Sequence, residues 1–256
     1  MNMEFLSRNY IGTTTNINPN VGTSTIGNLI DRSEDTLFLA SVPTTTATTL
    51  TVHFTIDEDI NRIVLSDCNF KNFSITHSGT TFSLTNFNTS ASSWTGNSAT
   101  SLYLYFSTIT VATITLTVNS NTNGDLNHSV GQFWVNELIH QFERNPDFRM
   151  YTPARDRREY NNKLADGGWS QAVLDDFFDA RIKFEFITDV ERIALKSIFD
   201  RNNAVVFTPF PTATSWDKRI FEVLWTDDFT LNRLKLNQND ATYRYSGNMR
   251  LRESGR

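Results

Sequence analysis

With 256 residues, 39% hydrophobic and 12% aromatic including 20 Phe, the chain can bury one large or two modest cores, and its composition excludes a disordered chain. The single cysteine, Cys68, excludes an internal disulfide and the usual cysteine-based metal frameworks. The net charge of −5 conceals an asymmetry: residues 1–140 hold four basic side chains (Arg8, Arg32, Arg62, Lys71) against ten acidic ones, whereas 141–256 hold 19 basic and 18 acidic. An acidic, Thr/Ser/Asn-rich first half is no phosphate-binding surface.

The opening "MNMEFLSRNYIG" lacks a basic start followed by an apolar run, and nowhere do about 18 consecutive apolar residues occur. The expectation is no entry into secretion by that signal, no membrane insertion, and folding in a reducing compartment. Next, "TLTVHFTI" alternates, with Leu50, Val52, Phe54 and Ile56 on one side and Thr51, His53 and Thr55 on the other. That is a strand with one buried face. "NRIVLSD", "NFSITHSG", "TFSLTNF", "SLYLYFSTI" and "VATITLTVN" follow, short and rich in β-branched or aromatic residues, separated by Asn, Ser, Gly and Asp turn clusters. Their spacing predicts an antiparallel β-sandwich or jelly roll.

The stretch "NLIDRSEDTLFLAS" followed by "LTVHFTIDEDINRIVLSDCNFKNFSITHSGTTFS", the pair "SLYLYF" and "VATITLTV", and the late "GQFWVNELI" resemble the discoidin, or galactose-binding-like, jelly-roll family over residues 25–140. Where that family commonly has Asp-Gly this chain has Asp31-Arg32, so a calcium ion held in that loop by some members is not expected here. The resemblance implies glycan or other surface ligands bound by loops at one end of the sandwich. Trp94 in "ASSWTGNS" and Trp134 in "GQFWVNE" are the candidate ligand-binding residues, since an indole in a polar loop can stack on a sugar ring. The alternative is that each indole plugs a core or an interface.

Composition changes near residues 140–146, and the expected domains are 1–141 and 142–256. The second begins with a long polar stretch, "QFERNPDFRMYTPARDRREYNNKLADGG", carrying Arg155, Arg157 and Arg158. In the strand that follows, Ala180, Ile182, Phe184 and Phe186 face one way and Arg181, Lys183 and Glu185 the other. Thr188 with Glu191 three positions on makes a capping box. It opens a helix near 189–201 whose packing face is read as Val190, Ile193, Ala194 and Ile198, with Asn202-Asn203 as the stop. "AVVFTPF" is strand again, halted by Pro209 and Pro211. In the last segment Tyr243, Tyr245, Met249 and Leu251 oppose Arg244, Ser246, Asn248, Arg250 and Arg252. Arg155, Arg157, Arg158, Arg181, Lys183, Arg244, Arg250 and Arg252 are the candidate subunit interface. Nucleic-acid contact is the weaker reading of these cations, because the near-balance of charge over 141–256 leaves little phosphate-driven affinity.

The stretch from "YTPARDRREYNNK" through "ARIKFEFITDVERIALKSIFDRNNAVVFTPFP" resembles the ring-forming domains of bacteriophage tail tubes and distal-tail or baseplate proteins, over residues 145–253. The resemblance implies a tail-tube-like β-barrel or sandwich with one α-helix, and a homo-oligomeric ring, hexamer or trimer. It also implies other phage tail and baseplate proteins as partners, and a virion tail component assembled in the host cytoplasm. Catalysis is not expected. The four histidines His53, His77, His128 and His140 form no H-x-x-x-H pair, and no G-x-S-x-G elbow or Gly-rich phosphate loop is present. Asp175, Asp176, Asp179, Asp227 and Asp228 read as turn residues before they read as a glycosidase pair or cation site. No cofactor and no metal are expected. The reading is a mostly β phage tail-tip subunit, and the alternative is a carbohydrate-binding module oligomerised by its C-terminal domain.

Overall fold

A computed structural model describes residues 3–11, 16–20, 26–29, 37–41, 47–78, 80–81, 85–86, 93–122, 127–144, 151–163, 169–209, 220–234 and 244–254. In chain order the strands are β1 (Glu4–Leu6), β2 (Asn16–Pro19), β3 (Phe38–Ser41), β4 (Thr48–Ser66), β5 (Phe70–His77), β6 (Thr80–Thr81), β7 (Thr85–Asn86), β8 (Ser93–Trp94) and β9 (Leu102–Asn121). They continue as β10 (Asn127–Val130), β11 (Gln132–Asn136), β12 (Leu138–Gln141), β13 (Tyr151–Lys163) and β14 (Trp169–Ile187). The helix α1 (Asp189–Asp200) follows, then β15 (Val205–Thr208), β16 (Phe221–Trp225), β17 (Leu231–Leu234) and β18 (Arg244–Glu253). The chain is mostly β, as its alternating segments require.

The first unit is a β-sandwich. Its large sheet runs β11, β4, β9, β5, β6, with β2 beside β4, β7 beside β9 and β8 beside β5, and a small sheet pairs β10 with β3. Along the first half of β4 the expected alternation holds: Leu50, Val52 and Phe54 are buried and His53 and Thr55 exposed. Irregularities in the pairing of β4 with β9, between His53 and Glu58 and between Ile60 and Arg62, bend the strand pair around the core. Ile56, expected inside, lies in the first of these and is 68% exposed. Beyond the bends Ile60 to Ser66 are all buried. A continuous buried run means a sheet covered on both faces. Ile63 and Leu65 face the sandwich core, while Val64 packs on the other side with Tyr103 and Trp134 against Leu6 and Val206.

The second unit is an open sheet in the order β12, β1, β15, β16, β18, β14, β13, with β17 beside β18. Among the described residues it does not close, so the barrel form of the expectation is not realised. Nor do the sheets divide at residue 141: β1 pairs antiparallel with both β12 and β15, so the chain's first strand and residues 138–141 belong to the second sheet. The core on this sheet gathers Phe5, Phe142, Phe178, Ile182, Phe184, Phe207, Val223, Met249 and Leu251, closed by Leu195 and Ile198 of α1.

Two sequence expectations shift here. The buried residues of α1 are Glu191, Leu195 and Ile198, whereas Val190 and Ile193 are 74% and 55% exposed. On β14 Phe186 is 50% exposed with φ +62, because the pairing with β18 slips between Phe184 and Ile187 and turns Ile187 inward instead. At Gly247 of β18, a Cβ would lie 2.4 Å from the Leu231 side chain and 2.6 Å from the Thr230 carbonyl oxygen. Only glycine lets β17 approach this closely.

Candidate functional site

The tryptophans proposed for ligand stacking are interior. Trp94 is 6% exposed and its ring lies on Phe73, centroids 4.5 Å apart and planes 9° off parallel. Trp134 is 4% exposed at the joint between the two units, and its Nε1 donates to Gln132 Oε1 at 2.7 Å. An indole buried to this degree presents no ring face to a sugar. This is the other reading of the two indoles, plugs of a core or an interface: each sits beside polar residues in sequence while its strand neighbours fill the core.

The candidate interface cations differ in their surroundings. Arg250 is committed within the chain: its Nη2 lies 2.6 Å and its Nε 3.0 Å from Oδ2 of Asp179, a carboxylate buried under β18. Lys183 meets Glu185 at 2.8 Å on the exposed face. Arg181 is exposed, has no ion pair among the described residues and stands directly opposite another cation, Arg250, in the ladder. Thr152, Arg181, Lys183, Asp227, Asn248 and Arg250 line a cleft of about 370 Å³ on this outer face. Arg244 and Arg252 are half-buried on β18. For Arg155, Arg157 and Arg158 the backbone register is described and the side chains are not; they stand opposite Phe178, Asp176 and Asp175.

That register defines the most unusual feature of the second unit. Most of the polar stretch is the strand β13, paired antiparallel with β14 from Tyr151 opposite Ile182 out to Lys163 opposite Trp169. Pairing of β14 with β18 begins only at Asp179. From Arg155 and Phe178 outward, then, a two-stranded arm leaves the sheet without a third strand among the described residues, running ~30 Å at the rise of an extended chain. Such a ribbon is marginal by itself in water. The free edge of β13 is a template for pairing with another chain, and Pro153, the charged run 155–159 and the irregularity between Arg158 and Glu159 are devices that keep such an edge from pairing indiscriminately.

The remaining candidate chemistry is dispersed. His53 is exposed, His77 lies half-buried at the end of β5, and the His128 ring nitrogen Nδ1 is 2.7 Å from Thr48 Oγ1. His140 stands edge-on to Phe142, centroids 5.0 Å apart. Burial lowers the pKa of both His128 and His140. Asp227 and Asp228 are exposed, and the side chains of Asp175 and Asp176 lie outside the described residues. Burial pushes the Cys68 thiol up to about 12, so it is held as an unreactive thiol. Among the described residues no three His, Cys, Asp or Glu side chains stand close enough to hold a metal ion, and no helix is long and apolar enough to cross a membrane.

No protein-family model matches the chain, and a search of curated proteins finds no match. Among solved structures it is similar to chitosan-binding module 1 from the chitosanase/glucanase of Paenibacillus sp. IK-5, with 14% identity over 49% of this chain and 97% of that one and a TM-score of 0.39. It is also similar to the family 32 carbohydrate-binding module of Clostridium perfringens NanJ in complex with galactose, with 13% identity over 53% of this chain and 99% of that one and a TM-score of 0.39. At TM-scores this low neither likeness carries function or family across to this chain.

Proposed function

We propose that this protein is a structural assembly subunit whose copies join through the β13–β14 arm of the second unit and hold the sandwich as an appendage. The observation that carries the reading is the arm itself: a two-stranded ribbon extending past β18, with one long edge guarded by charge and proline. Seating on a neighbour supplies the third layer that a two-stranded ribbon needs. One edge on each copy meeting a different surface on the next is a heterologous contact, which closes into a ring when the rotation between copies permits. The resemblance of residues 145–253 to ring-forming tail domains supports placing that ring in a phage tail tip or baseplate, between the tail tube and the tip components. The exposed Arg181 and the cations of β13 then belong to the contact between copies.

The sandwich admits a second reading, carbohydrate recognition, supported by the discoidin-like order of its segments. Trp94 and Trp134 have no part in it. Residues 21–25, 30–36 and 42–46 lie outside the described residues.

The test is native mass by light scattering across protein concentrations and two salt levels, on the intact chain and on a variant whose residues 156–177 are replaced by an Asn-Gly turn. The intact chain should show one fixed copy number and the shortened variant a monomer with an unchanged unfolding midpoint. A monomeric intact chain at every concentration, or a shortened variant that still assembles, refutes the role given to the arm. A glycan panel read alongside decides the second reading.

A further inference from the structure

A cavity of about 300 Å³ opens where α1 ends, between the helix and the β15–β16 pair. Ile198 and Val205 form its buried floor, and Phe199 and Trp225, both half-buried, stand as aromatic walls. Those two rings meet edge to face at 5.6 Å and 78°, backed by Phe229 at 5.6 Å from each. The rim is polar: Asp200, Asn202 and Asn203, all exposed. Leu224, 37% exposed, borders the same opening. Trp225 Nε1 is buried and has no acceptor among the described residues, an uncommon state for an indole N–H, which usually finds a partner when buried.

The charge of the cavity narrows its ligand. Asp200 is held by Lys196 at 2.5 Å, so the rim carries no uncompensated charge. The end of a helix leaves carbonyl oxygens without intrahelical partners, and no basic residue stands in the last turn of α1. Arg201, the exposed residue that caps the helix, is not among the lining residues, so no cation lines the cavity to meet an anion. What the rim offers is a balance of donors and acceptors: two side-chain amides and one oxygen of an ion-paired carboxylate. Vicinal hydroxyls, each able to donate and accept, match that balance. A ring with an apolar face matches the aromatic walls.

We infer that this cavity binds a neutral saccharide ring, stacked against Trp225 or Phe199 with its hydroxyls on Asp200, Asn202 and Asn203. This site is separate from the sandwich and from the arm.

The experiment is saturation-transfer NMR and titration calorimetry on the full chain with galactose, glucose, N-acetylglucosamine and their neutral oligomers, with glucuronate as the acidic control. Two variants accompany it: Asn203→Ala, at an exposed position, and Leu224→Trp, which fills the opening. The expected result is binding of a neutral sugar that weakens about tenfold or more in both variants, at unchanged unfolding midpoints. No neutral sugar bound, preference for glucuronate, or binding that survives both variants overturns the inference, and the last of these assigns the sugar to the sandwich. Native mass is read separately, so the assembly reading stands or falls by its own measurement.

Discussion

Glu4 and Arg62 are 58 positions apart in sequence and meet in the interior, at 0% and 6% exposure. Arg62 Nε and Nη2 donate to the two carboxylate oxygens at 3.0 and 2.9 Å, Nη1 donates to the Asn61 carbonyl at 2.9 Å, and the Tyr103 hydroxyl donates to Glu4 Oε2. Burial works to lower the Arg62 pKa, and the hydrogen bond and charge of Glu4 outweigh it and raise the value; burial and then Glu4 hold the Tyr103 phenol well above its usual range. Arg62 and Tyr103 thus keep the protons that the bonds need. Such a knot adds little net stability over apolar packing, yet breaking it by halves is costly. Arg62→Met should destabilise by about 3–5 kcal/mol in urea titration, because it leaves the Glu4 carboxylate buried without its cation. Adding Glu4→Gln should recover part of that loss, the coupling expected of contacting residues. A loss under about 1 kcal/mol in the single variant is within reach of ordinary substitutions and contradicts the buried pair.

The helix shows the same logic one level up. Glu191 N–H donates to Thr188 Oγ1 at 3.2 Å and Thr188 N–H to Glu191 Oε2 at 2.9 Å, the reciprocal box that the sequence spelled out. The other oxygen of Glu191 accepts from the Glu143 N–H at 3.0 Å and ties the helix to the segment after β12. Thr188→Ala should cost about 1 kcal/mol, a melting shift of about 2–4 °C for a chain of this size. Glu191→Ala should cost more, since it also strands the Glu143 amide; equal losses would show that tether to be idle. Capping was legible because it needs only local geometry. The packing face was legible only in part: Ile198 is buried as expected, but Val190 and Ile193 fit the helical period as well as Leu195 does and are exposed. Glu191, buried and accepting from the Thr188 and Glu143 N–H groups, shares the inward face with Leu195 and Ile198. Alternation revealed β4, β14 and β18 for the same local reason. It hid β13, whose charged run shows no buried face and therefore no period of two. The arm, the feature on which the assembly reading rests, gave no strand signal for that reason.

At the scale of the whole molecule, the two units share a chain terminus. β1 is three residues long and inserts between β12 and β15, giving both its edges to the second sheet. Segments this short carry no periodic signal, so the composition change near residue 140 was legible while the return of the N-terminus was not. From β1 the chain runs back along the sandwich: the Asn9 amide group bonds the Phe133 carbonyl and the Val135 N–H at 3.1 and 3.0 Å, Asn136 Nδ2 donates to the Ser7 carbonyl at 2.8 Å, and Asn61 Oδ1 accepts from the Leu138 N–H at 2.7 Å. Leu6, Val64, Tyr103, Trp134 and Val206 close a third, smaller core between the units. Units tied by a shared strand, a buried ion pair and a common core should unfold as one, so calorimetry should show a single transition with calorimetric and van't Hoff enthalpies in agreement. Deleting residues 1–7 withdraws β1 and Glu4 together. The second sheet then loses the strand joining β12 to β15, and Arg62 is left buried without its carboxylate. The deletion should therefore lower the melting temperature of both units, and limited proteolysis should open 138–254 along with the sandwich. If that region instead melts unchanged, β1 is an ornament on an independent domain and the boundary at residue 141 is restored.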